Sequence, residues 1–82
     1  MTRKDLTIYT AAILTTLDEE PSGGCPESHL YIALGMDLQK WHAVRDFLQS
    51  FDWITIRVNW VEITAEGRDI AAKVTAAQSA PA

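Results

Sequence analysis

The sequence predicts a mainly α domain with one small β-hairpin, in the order helix, helix, helix, hairpin, helix. Three observations lead to this. Between Glu27 and Ser50 a short helical pattern meets Gly35, turns through Gly35-Met36-Asp37 and resumes as a longer helix. From Trp53 the apolar period falls from that of a helix to that of a strand, through Ile54, Ile56 and Val58 and again through Val61 and Ile63. Apolar residues at helical spacing lie before and after these segments.

The first helix is read from about Thr2–Lys4 to Leu17–Glu19. Leu6, Tyr9, Ile13 and Leu17 fall on one stripe that Ala12 and Leu14 widen. Asp5 suits the helix start, and Asp18-Glu19-Glu20 does not suit its end. Pro21-Ser22-Gly23-Gly24 forces a loop. Pro26 then opens a short second helix, to about Leu34, because a missing N–H costs nothing in a first turn. Leu30 and Leu34 form its inner face. Gly35 ends it in the left-handed conformation that glycine adopts most cheaply. Met36 is an apolar plug, and Asp37 caps the third helix, about Leu38 to Phe51. There Trp41, Val44, Leu48 and Phe51 face inward, flanked by Phe47. The opposite face carries Gln39, His42, Ala43, Asp46, Gln49 and Ser50, with Lys40 and Arg45 at its edges.

The hairpin pairs Val58 with Val61 and Ile56 with Ile63, leaving Asn59-Trp60 as the turn. Ile54, Ile56, Val58, Val61 and Ile63 point inward. Thr64 caps a fourth helix, about Ala65 to Ala77, that buries Ile70 and Val74, and Gly67 in its first turn carries a modest cost. Residues 1–77 are read as one domain and residues 78–82 as a flexible tail.

At 82 residues the chain makes one domain, burying roughly 60–65% of its unfolded surface. Seven Lys and Arg against eleven Asp and Glu give a net charge of −4, unusual for a protein that binds nucleic acid. A single cysteine, Cys25, forms no internal disulfide and points to a reducing, cytoplasmic setting. There is no signal-peptide pattern and no apolar run of membrane-spanning length.

The segment around Gly35 has the shape of a helix-turn-helix. With the hairpin and closing helix behind it, the chain resembles the winged helix-turn-helix superfamily, in the manner of the small MarR-like and PadR-like bacterial, archaeal or phage DNA-binding domains. The resemblance covers about Lys4 to Ala77. It rests on Leu30, Leu34, Met36, Trp41 and Val44 at set offsets from Gly35, on Phe51-Asp52-Trp53-Ile54 leading into the wing, and on Ile63-Thr64-Ala65-Glu66-Gly67-Arg68 leading out of it. It implies a small transcriptional regulator that binds double-stranded DNA as a homodimer, without a cofactor. Helix 38–50 would lie in the major groove, where Gln39 would bind an adenine edge. His42 or Gln49 would make further contacts beside Ala43. Lys40 and Arg45 would hold phosphates, with Arg57 in or near the wing.

Arg3, Lys4, Lys40, Arg45 and Arg57 could form one basic edge. Five phosphate contacts would give a salt slope of roughly −4 to −5. The same charges could instead be dispersed and paired with Asp5, Asp46 and Asp52. Trp60 could enter a groove, bury itself in a second subunit or fold back on its own domain. The net charge, a wing tip without Lys or Arg, and Trp60 also fit a second reading. In it, the module binds protein or its own copy and no DNA. Cys25 and His29 lack the further ligands that a structural zinc site needs. They are read as a small thiol and a surface histidine. No catalytic grouping stands out, and the chain is read as a non-enzyme.

Overall fold

The computed structural model describes residues 2–79. The elements run α1 (Arg3–Glu19), β1 (Gly24–Pro26), α2 (Glu27–Ala33), α3 (Leu38–Ser50), β2 (Ile54–Arg57), β3 (Trp60–Ile63) and α4 (Ala65–Ser79). The domain is mainly helical, with a small antiparallel sheet in the order β1-β3-β2. This architecture is compatible with a winged helix.

Local chemistry sets four of the helix boundaries. The Thr2 hydroxyl accepts the Asp5 N–H at the start of α1, and the Asp37 carboxylate accepts the Lys40 N–H at 2.8 Å at the start of α3. α2 and α3 end in the same way. At Gly35 (φ 65°) the Met36 N–H reaches the Tyr31 carbonyl and the Gly35 N–H that of Ile32. At Asp52 (φ 59°) the Trp53 N–H reaches Leu48 and the Asp52 N–H reaches Gln49. Both are Schellman closures. The second uses aspartate, one of the few residues that tolerate this backbone.

The core gathers Ile13, Leu14 and Leu17 of α1, Cys25 of β1, Leu30 of α2, Met36 of the turn that follows, Trp41, Val44 and Leu48 of α3, and Ile54, Val61 and Ala71. α1 packs on α4, and the sheet closes over α1 and the start of α2.

Several sequence expectations need correction. Gly24-Cys25-Pro26 is a third strand, so the hairpin is part of a three-stranded sheet. Pro26 ends that strand and lies outside the first turn of α2. Proline fits there because β1 is an edge strand. The wing register differs by two residues: Ile54 pairs with Ile63, Ile56 with Val61 and Arg57 with Trp60. A two-residue shift preserves the inward face, so Ile54 and Val61 remain buried. The turn is Val58-Asn59, and Val58 points out, 90% exposed. Phe51 ends α3 half-exposed and stacks on Trp53 at 4.9 Å. α4 continues through Ser79, past the Ala77 boundary. Residues 80–82 of the expected tail lie outside the described residues.

Val58 is β-branched at φ 48°, a backbone that few such residues adopt. It buries nothing in return. Val58→Asn should therefore raise stability by about 1 kcal/mol, read as a higher urea midpoint at unchanged slope. An unchanged or lower midpoint would remove the strain argument.

Candidate nucleic-acid interface

The surface that α3 presents is set by how the helix is held. Trp41, Val44 and Leu48 are fully buried and fix its rotation. The Asp37 cap and the Asp52 closure fix its ends. Gln39, Lys40, His42, Ala43, Asp46 and Gln49 are left exposed on the outer side. Asp37, Gln39, Lys40 and Ala43 border a shallow depression at the start of α3. The residues expected on this face are thus brought together, with one lysine and one aspartate among them.

Arg45 is placed differently. It is half-buried, and its Nη1 donates to Glu27 Oε1 at 3.1 Å. Asp46 Oδ1 stands 3.5 Å from its Nε without making a hydrogen bond. The same Glu27 oxygen accepts the buried Trp41 indole N–H. Glu27 therefore joins the first turn of α2 to α3 by two donors, and Arg45 spends its charge inside the domain. The sequence reading did not single out Glu27. The available signal was Trp41, because a core indole needs an acceptor for its N–H.

Of the remaining expected basic edge, Arg3, Lys4, Lys40 and Arg57 make no ion pair among the described residues. Lys40 lies on α3 and Arg57 at the end of β2, while Arg3 and Lys4 begin α1. Arg68 pairs with Asp18 at 2.8 Å. Among the described residues, the only expected partner found for an expected cation is Asp46, beside Arg45.

Trp60 is the first residue of the middle strand, directly after the Val58-Asn59 turn and not part of it. It is opposite Arg57 on one side and Pro26 on the other. Its indole covers Gly24 so closely that a Cβ there would meet Nε1 at 2.6 Å. It keeps 39% of its surface exposed on the outer side of the sheet. The Glu27 N–H donates to the Asn59 carbonyl at 2.7 Å, tying the wing turn to α2.

Cys25 is buried in the sheet's inner face. Burial first, and the Glu20 carboxylate second, push its thiol pKa up, so the thiolate is disfavoured. Among the described residues no group of three or more His, Cys, Asp or Glu could hold a metal ion. No helix there is long and apolar enough to cross a membrane. An apolar cleft of about 370 Å³ lies between Leu6 and Thr10 of α1, Phe47 and Trp53, and Ile70 and Val74 of α4.

Comparison with protein-family models, with curated proteins and with solved structures found no match for this chain.

Proposed function

We propose that the chain is a small winged helix-turn-helix regulator that binds double-stranded DNA as a homodimer, with α3 in the major groove. The observation that supports this best is the exposed strip of Gln39, His42, Ala43 and Gln49 on a helix locked at both ends. Such a strip can meet base edges, and Gln39 can pair with adenine in a bidentate manner. Lys40 and Arg57 supply the nearby phosphate contacts. Arg45 acts instead as the brace that holds the angle between α2 and α3. With two phosphate contacts in each protomer, the affinity of a dimer should fall with a log–log salt slope of roughly −4.

Anisotropy titrations against a pool of genomic fragments at low salt test this. Gln39→Ala should weaken the best-retained fragment by about 1–3 kcal/mol, while Lys40→Ala should weaken all fragments and flatten the salt slope. A pool with no retained fragment, or a Gln39→Ala protein that binds like wild type, would overturn the reading.

A protein-binding module without DNA contact is the second reading. The internal pairing of Arg45 and the net charge of −4 favour it. So do two large apolar side chains left outside, Ile32 at 71% and Leu38 at 55% exposure. It predicts no retained DNA, together with an assembly state that responds to Trp60→Ala or Leu38→Ala in light scattering.

A further inference from the structure

α1 carries a face that the fold covers only in part: Lys4, Ile8 and Glu19 are exposed on it, and Ala11, Ala12 and Thr15 are half-buried beside α4. At 100° per residue Lys4, Ile8, Ala11, Ala12, Thr15 and Glu19 fall within one arc of about 100°. That arc is opposite the buried Ile13 and Leu17. From Leu6 to Leu17 the helix has no charged residue. Ile8 is 54% exposed on this face. A groove of about 570 Å³ runs beside it, walled by Ile8, Ala12 and Thr15 on α1 and by Val74 and Ala77 on α4. The Thr15 and Thr16 hydroxyls donate back to the Ala11 and Ala12 carbonyls, both at 2.7 Å, and Thr7 does the same to Arg3 at 3.0 Å. These donors are satisfied within the helix, so covering the face strands none of them.

We propose that this face binds a second copy of the chain, α1 against antiparallel α1, about a two-fold axis between Ala11 and Ala12. Charge selects both the occupant and its direction. Lys4 and Glu19 make no ion pair among the described residues, and they stand about 22 Å apart along the helix axis. In the antiparallel arrangement Lys4 meets the partner's Glu19, Ile8 meets the partner's Thr15, and Ala11 meets the partner's Ala12. The pattern is self-complementary, as an isologous contact requires. A parallel arrangement would set lysine on lysine and glutamate on glutamate. Alanines at the crossing let the two axes approach closely, while Val74 and Ala77 widen the apolar contact. The proposal takes up the homodimer part of the proposed function and places it away from Trp60. It is tested without DNA, so failure of the DNA reading leaves it standing, and the reverse also holds.

The test is light scattering and sedimentation equilibrium on the full chain at about 100 µM, a concentration at which a modest interface already assembles. Wild type should be a dimer. Ala11→Glu sets two like charges beside the axis and should raise the dimer Kd by about 100-fold or more with unchanged helical circular dichroism. Lys4→Glu should raise it by about tenfold, and adding Glu19→Lys should return it to within about threefold of wild type. The charge exchange uses exposed positions, so it remains readable if Ala11→Glu fails to fold. A monomeric wild type, a dimer indifferent to Ala11→Glu, or a double variant no better than Lys4→Glu would each overturn the assignment.

Discussion

Gly67→Ala should lower the stability of the domain by about 3 kcal/mol or prevent folding. This is the opposite of what helix propensity alone implies. Gly67 lies in the first turn of α4, where alanine ordinarily gains about 1 kcal/mol over glycine. Here a Cβ would press on the Trp53 carbonyl oxygen, well inside van der Waals contact, and on Ile63 Cγ1 at 2.8 Å. The Trp53 carbonyl has no freedom to yield, because it accepts the Thr64 N–H at 3.0 Å. Thr64 in turn accepts the Gly67 N–H at 3.0 Å and donates its hydroxyl to the Asp52 carbonyl. Making room for the methyl group means moving the start of α4 off the wing and losing this cap, itself a contribution of about 1 kcal/mol. Urea unfolding followed by Trp fluorescence measures the effect. A midpoint equal to or above wild type would show that the close approach of α4 to Trp53 is wrong.

Glu27→Ala is expected to cost about 2–3 kcal/mol. Two donors would lose their acceptor at once: the fully buried Trp41 indole N–H and the half-buried Arg45 guanidinium. Arg45→Ala should cost less, about 1 kcal/mol, since Trp41 keeps its partner. In the double variant the losses should fall short of additive by about 1 kcal/mol, the sign of a shared network. Equilibrium unfolding of the four proteins completes the cycle. Strict additivity would mean that Glu27 and Arg45 act independently and that Arg45 is free to leave the domain for another ligand.

What was legible in the sequence follows the range of the interaction responsible. The Gly35 turn, the Asp37 cap and the Trp41-Val44-Leu48 stripe depend on residues within a turn or two, and the structure has them where the pattern placed them. β1 was not legible. Gly24-Cys25-Pro26 shows no alternation and contains a proline, and it is a strand only because β3 pairs with it. The register of the wing was ambiguous for a related reason. A shift of two residues leaves the same side chains facing inward, so hydrophobic pattern cannot distinguish the two pairings. The need for glycine at position 67 arises from an α4–Trp53 contact that no local window contains. At the candidate interface the exposed strip of α3 was readable from periodicity. The withdrawal of Arg45 was not, because its partner lies on another helix.

The strand order has a consequence for how the chain reaches its native state. β3 is the centre of the sheet, yet it is the last strand to be synthesised. A nascent chain that has emerged only as far as Arg57 holds the full turn between α2 and α3 and still has nothing for β1 or β2 to pair with. Closure therefore depends on contacts far apart in sequence, which form late and together. The first three helices gain their final footing when Trp60–Ile63 arrives between two waiting edges. A truncation before Trp60 should behave as an unfinished chain rather than as a smaller domain.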